Sequence, residues 1–163
     1  EGVPTSGDGA GTAGPDGELD YQRQPLPFAS LVDAEEQSHT LAELVGEGAQ
    51  LLVFVSPGCG SCAEAIDRVP QWAADLGPVR VRAVVAQPID TVTARAPELA
   101  GHLLHDPQGA TRRIFAVGTP GAVLLGGDGL LAGGPVRGQD AVRQFVDDVR
   151  AELLEAGVVT DGR

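Results

Sequence analysis

Apolar and polar positions along this chain fall into short blocks of strand length and stretches of helical period. After Pro25-Leu26-Pro27, Phe28-Ala29-Ser30-Leu31-Val32 reads as a short strand and Asp33-Ala34-Glu35-Glu36-Gln37 as a turn leading to Ser38-His39-Thr40. Thr40 is placed to cap a short helix over 41–45, with Glu43 three positions on completing a capping box, and Gly46-Glu47-Gly48 breaks the chain behind it. The unbroken apolar run Leu51-Leu52-Val53-Phe54-Val55 predicts a strand buried on both faces of a sheet. Beyond it, Cys62, Ala65, Ile66 and Val69 recur on one side of a helix that Pro70 interrupts and that 71–76 continue after a kink.

The segment 79–86 begins as an alternating strand, Val79-Arg80-Val81-Arg82, and ends as an apolar one. Periodicity is weakest over 88–105, where Asp90 is expected to cap a helix over 91–96, Pro97 disturbs it, and Leu103-Leu104 forms a short strand. A short helix over 110–115 and a strand over 121–125 follow; Gly126-Gly127-Asp128-Gly129 then makes a hairpin turn into Leu130-Leu131-Ala132. The clearest helix comes last: Val142, Phe145, Val146, Val149 and Leu153 keep an i, i+3, i+4, i+7, i+11 stripe, with Gly157 as its stop. Strands and helices in this order, without an internal repeat, predict an α/β sandwich around one mixed sheet.

Length and composition refine that picture. A chain of 163 residues holds one domain of ordinary size plus a tail. Residues 1–20 contain six glycines, two prolines, five acids and no basic residue, with Val3 and Leu19 as the sizeable apolar side chains. Such a segment cannot bury enough surface to offset its ordering entropy, so 1–24 is expected to be a disordered acidic spacer, 25–157 the folded domain and 158–163 a flexible tail. The chain has no methionine, which points to a signal peptide or membrane anchor ahead of residue 1; no apolar run here is long enough to span a bilayer. The net charge of −12, from 23 acids against 11 arginines and no lysine, argues against a nucleic-acid partner, because phosphate binding needs a basic face.

The chemistry lies between the apolar strand and the helix after it. Ser56-Pro57-Gly58-Cys59-Gly60-Ser61-Cys62 holds both cysteines of the chain. A dithiol at a strand-to-helix joint points to thiol-disulfide exchange, since a helix N-terminus offers unpaired N–H groups and about half a positive charge to a thiolate. Cys59 is the candidate nucleophile, and Cys62, one helical turn on and facing the body of the domain, is the candidate resolving thiol. A zinc site using His102 and His105 is the competing reading, but zinc fingers place their histidines much nearer the cysteines. Two inert buried cysteines are the other.

With these residues in hand, the chain resembles the thioredoxin fold, and within it the extracytoplasmic TlpA/ResA-like and MauD-like thiol-disulfide oxidoreductases. The resemblance spans about 25–156 and rests on the apolar strand entering Cys59-Gly60-Ser61-Cys62, on Thr119-Pro120 opening a strand, and on the hairpin and helix behind it. It implies a thioredoxin-like central mixed sheet flanked by helices, with an insertion near 86–105. It also implies a cis-proline at Pro120 facing the dithiol, with Thr119 and Pro120 aligning an extended substrate across Cys59. Implied partners are protein thiols and disulfides, such as apo-cytochromes, copper-site proteins or disulfide-rich enzymes under maturation, together with a membrane electron donor or acceptor. A monomer is expected, with no bound cofactor and no metal, because the two sulfurs of a Cys59–Cys62 disulfide carry both electrons.

Departures from the family's pattern are equally specific. Val53 stands where thioredoxin has a buried aspartate, and Gly58 where it has a tryptophan; Glu64 and Asp67 on the following helix are read as its solvated face, and Trp72 as packing. A thiol peroxidase of the same fold is an alternative, although Ser56 occupies the place of that family's threonine. A copper- or zinc-handling module is another, although copper chaperones of this fold have three residues between their cysteines.

Overall fold

The computed structural model describes residues 24–159; the expected spacer, except for its last residue, and the last four residues of the expected tail lie outside them. Among the described residues seven strands form one sheet in the order β2-β1-β5-β4-β3-β6-β7. They are β1 (Ser30–Val32), β2 (Ser38–Thr40), β3 (Gln50–Phe54), β4 (Arg80–Val85), β5 (Leu103–His105), β6 (Gly121–Leu125) and β7 (Leu131–Arg137). The inner strands β3, β4 and β5 run parallel, and every other pairing is antiparallel, so the sheet is mixed as expected. Among the described residues five α-helices cover it: α1 (Leu41–Leu44), α2 (Ala63–Asp75), α3 (Ile89–Arg95), α4 (Ala110–Ile114) and α5 (Gln139–Glu155). None of the helices among the described residues is long and apolar enough to cross a membrane.

β3 sits at the centre because all five of its residues are apolar or shielded, which lets both faces be buried. Leu51, Val53 and Val55 point into a core shared with Ala65, Ile66, Val69 and Trp72 of α2 and with Val142, Val146 and Val149 of α5. Leu52 and Phe54 point the other way, into a second core with Leu31, Leu41, Val45, Leu104 and Phe115. Burying side chains of this kind contributes about 1.5–3 kcal/mol each. The domain therefore fixes the C-terminal end of β3 from both sides, and that end carries the dithiol.

Local signals behave as the residue chemistry dictates. Thr40 and Glu43 form the expected capping box, with N···O distances of 2.8 and 3.0 Å. α2 runs through Pro70 as one helix. α5 ends in a Schellman motif: Gly157 takes φ +75°, its N–H bonds Leu154 O, and the Val158 N–H bonds Leu153 O.

Four expectations need correction. Ser38-His39-Thr40 is an edge strand; it pairs with β1 through a turn in which the Asp33 carboxylate accepts from the Glu35 and Gln37 N–H groups and meets His39 Nε2 at 2.7 Å. The first strand is shorter than 28–32, and the Phe28 side chain is exposed. Asp90 does not cap α3: Pro88 occupies that position and accepts from the Val92 N–H, leaving Asp90 in the first turn, where its charge still meets the helix dipole. β7 extends to Arg137 through a second cis-proline bond, Gly134-Pro135. The segment 86–105 carries α3, a 3-10 turn and β5, which adds a strand between β4 and β1.

Candidate active site

β3 delivers the chain to Ser56, and one tight turn then reverses it: the Cys59 N–H bonds Ser56 O and the Cys62 N–H bonds Cys59 O, both at 3.0 Å. Gly60–Cys62 form a 3-10 turn that runs straight into α2. Cys59 is therefore the cap of that turn, with extended backbone (φ −95°, ψ 119°), and its side chain is half-buried at the rim. Cys62 faces inward with no exposed surface, in the core that contains Val53 and Val55. Both thiols are free.

The two sulfurs differ in every contact that matters for reactivity. Cys59 Sγ lies 3.1 Å from Ser61 Oγ and 3.6 Å from Thr119 O. Hydrogen bonding from the Ser61 hydroxyl, and next from the Cys62 thiol, lowers the Cys59 pKa to about 7. Burial drives Cys62 the other way, to about 11, even though the Ser56 N–H points at its sulfur from 3.4 Å. A half-exposed thiol poised near neutrality beside a buried one held protonated is an arrangement that separates attack from release.

The loop before β6 closes the site from the opposite side. The Thr119-Pro120 peptide bond is cis. Thr119 is partly exposed and Pro120 buried, and Pro120 O accepts from the Gly138 N–H, which ties the loop to the start of α5. Beside Thr119 a recess of ≈ 370 Å³ opens between Ser56, Gln87, Arg112 and Gly118. The structure thus brings Cys59, Cys62, Thr119 and Pro120 of the sequence reading to one end of the sheet.

Other singled-out residues lie elsewhere or do other things. Glu64 joins α2 to α5, accepting from Gln139 at 2.8 Å and from Arg143 at 3.0 Å, and it pairs with Arg68 at 3.0 Å. Those partners, Gln139 first, hold its carboxyl below the usual range. Trp72 packs in the core. His105 Nε2 meets Ala86 O at 3.3 Å, and among the described residues no three of His, Cys, Asp and Glu come together in a way that could hold a metal ion. Ser61 is not among the candidate site residues drawn from the sequence, although it stands between the two cysteines. The available signal was a hydroxyl two residues after the nucleophile, within reach once the 3-10 turn folds its side chain back over the sulfur.

No family model matches the sequence, and no curated protein matches it. Solved structures do match. A protein of Chlorobium tepidum proposed to be the thiol:disulfide interchange protein DsbE is 22% identical and superposes with a TM-score of 0.61, covering 80% of this chain and 98% of that one. A thiol:disulfide interchange protein from Bacteroides sp. is 16% identical, with a TM-score of 0.57 over 78% of this chain and 91% of its own. The pneumococcal exposed lipoprotein thioredoxin Etrx1 of Streptococcus pneumoniae is 19% identical, with a TM-score of 0.54 over 75% and 99%. With a mixed sheet, the dithiol at the end of its central strand and a cis-proline loop across from it, this chain has the thioredoxin-like fold of those proteins.

Proposed function

We propose that this protein is a thiol-disulfide oxidoreductase acting on protein disulfides outside the cytoplasm. The observation that carries the reading is the contrast between Cys59, half-buried with its thiol lowered to about 7, and Cys62, fully buried and raised to about 11. In the reducing direction, the Cys59 thiolate attacks one sulfur of a substrate disulfide. A Cys59–substrate disulfide forms, and the other substrate sulfur leaves as a thiolate. Cys62 then loses its proton and attacks Cys59 Sγ, releasing the second substrate sulfur and leaving a Cys59–Cys62 disulfide. Two electrons have passed to the substrate with two protons, and no other cofactor is needed. The same steps run backwards for oxidation.

Thr119 and Pro120 are the proposed substrate-aligning residues: Thr119 O already lies against Cys59 Sγ, and Thr119 is partly exposed beside the nucleophile, where an extended chain would pair. Location outside the cytoplasm, as a tethered or secreted monomer served by a membrane electron donor or acceptor, accords with the Gly-rich acidic stretch ahead of the domain and with the lipoprotein among its structural neighbours. The test is trapping. With insulin as the substrate disulfide, Cys62→Ser accumulates a covalent mixed disulfide that mass spectrometry places on Cys59, Cys59→Ser accumulates none, and the wild type turns over. Absence of any reversible Cys59–Cys62 disulfide in glutathione buffers sinks the proposal.

A further inference from the structure

The segment between α4 and β6 belongs to neither element, so its carbonyls have no helix or ladder partner of their own. Ala116 turns it in the left-handed region, at φ +58°, which a residue with a Cβ adopts at a cost and keeps only where its surroundings enforce it. Two arginines from different elements do so. Arg137, the last residue of β7, donates through Nε to Ala116 O at 2.8 Å, and Arg112 of α4 donates through Nη1 to Val117 O at 2.9 Å. Backbone doubles each hold: the Val117 N–H bonds Arg112 O, and the Gly138 N–H, next after Arg137, bonds Pro120 O. Gly121 stands opposite Arg137 in the β6–β7 register, and the segment folds so closely over it that a Cβ there would lie 2.8 Å from Val117 Cβ.

Ion pairing does not explain the two arginines. Among the described residues the pairs at this end of the sheet join Glu64 to Arg68 and Arg143, and Asp140 to Arg143. The Asp106 carboxylate near Arg112 accepts from the Thr111 and Arg112 backbone N–H groups instead. What the two clamps leave uncovered is Gly118, which is exposed, and Thr119, which is partly exposed and whose carbonyl lies 3.6 Å from Cys59 Sγ. A segment that has to pair with an incoming chain gains from being fixed beforehand, because ordering it on binding subtracts from affinity.

We propose that Arg112 and Arg137 are positioning residues for polypeptide substrates. Acting through the Ala116 and Val117 carbonyls, they hold Gly118 and Thr119 where an extended chain pairs, and so favour a disulfide carried on a chain over a small one. The inference rests on the proposed role of Thr119 and Pro120 in aligning the substrate. Neither arginine is among the groups hydrogen-bonded to Cys59 Sγ, so the chemistry of the nucleophile is left to Ser61 and Thr119.

The test compares two disulfides with one leaving group. Reduced protein reacts with a neutral capped pentapeptide whose central cysteine is a 2-pyridyl disulfide, and separately with 2,2′-dithiodipyridine. In each, the Cys59 thiolate attacks the sulfur bonded to the thiopyridyl group, a disulfide to Cys59 forms, and pyridine-2-thione leaves and is read by its absorbance. Arg112→Gln and Arg137→Gln each lower the peptide rate relative to the small-disulfide rate by about fivefold or more, through a higher half-saturating peptide concentration, because a charged hydrogen-bond donor is lost. Arg137→Lys, which keeps a charged donor, recovers part of the ratio. Arg113→Gln removes the same charge one residue along, from a guanidinium that donates to Gln108 O, and leaves the ratio unchanged. Urea unfolding establishes that each variant is folded; if Arg112→Gln is not, the variants of the exposed Arg137 decide. An unchanged ratio in folded Arg137→Gln, an equal loss of both rates, or the same loss in Arg113→Gln overturns the proposal, the last because charge and not loop geometry would then be responsible. A wild type that attacks neither disulfide sinks the oxidoreductase reading itself, and this inference with it.

Discussion

Replacing Ser61 by alanine removes the hydrogen bond that lowers the Cys59 thiol most. A hydrogen bond to a charged group is worth about 1.5–3 kcal/mol. Because Cys59 is half-exposed, solvent takes over part of that, and the low end of the range applies. At about 1.4 kcal/mol per pH unit, the thiol moves from about 7 to about 8. At pH 7 the thiolate fraction then falls from about one half to about one tenth, close to fivefold. Nucleophilicity recovers part of the loss: with a Brønsted slope of about 0.4–0.5, each thiolate is about threefold more reactive per unit of pKa. The variant should therefore react with iodoacetamide about twofold slower than wild type at pH 7, yet about threefold faster at pH 10, where both are ionised. Alkylation rates across pH 5–10, with mass spectrometry assigning the label to Cys59, measure both arms. Rate curves that superimpose would falsify the assignment of Ser61, and a uniform slowing at every pH would point to lost packing instead.

Stability of the reduced protein should peak near pH 9. The lowered Cys59 favours the fold increasingly as pH rises from about 7 to about 9. The raised Cys62 costs stability from about 9 to about 11, because the unfolded thiol ionises first. Urea midpoints check this, with Ser61→Ala flattening the rising limb and Cys62→Ser removing the fall, which amounts to about 2 kcal/mol. Thr40→Ala breaks the capping box and should cost about 1 kcal/mol in thermal or urea unfolding while leaving the Cys59 alkylation profile unchanged. Phe54→Ala empties a site only 1% exposed and removes the tilted contact with Phe115 at 6.2 Å; a loss of about 3–5 kcal/mol in urea unfolding is expected.

How far the sequence could be read follows from how local each determinant is. The central strand, the α5 stripe and the capping box were legible because each is written within a few consecutive residues whose period or side-chain chemistry leaves little choice. The cysteines were legible because their spacing and their neighbours name a turn into a helix. β2 was not, since Ser38-His39-Thr40 has no apolar alternation and becomes a strand only because the Asp33 carboxylate organises the turn before it. Asp90 misleads because an acid ahead of a helical stretch has the chemistry of a cap, whereas the helix already begins at Ile89, behind the extended backbone of Pro88 (φ −58°, ψ 145°) and without any side-chain cap. Ser61 escaped for a third reason: its meaning depends on where a hydroxyl points, and that is set by a 3-10 turn.

The distribution of polar groups around the two sulfurs carries a consequence for the proposed cycle. Cys59 is about half ionised at pH 7, so attack does not wait on a base. Cys62, at about 11, is ionised to only about one part in ten thousand at that pH. Its surroundings offer the Ser56 N–H as a donor, and among the described residues the groups that act on its titration are Ser56, Cys59 and Thr119, with Val53 where a carboxylate could have stood. A base for Cys62 has to come with the reaction, and attack by Cys59 produces one, the thiolate expelled from the substrate disulfide. If that thiolate takes the Cys62 proton before it diffuses away, the first half of the cycle prepares the second, and release is tied to the exchange that precedes it. A buried resolving thiol without an acidic neighbour then acts as a gate: it stays inert toward solvent and toward partners that have not reacted, and it ionises when a mixed disulfide has placed both an electrophile on Cys59 and a proton acceptor beside it.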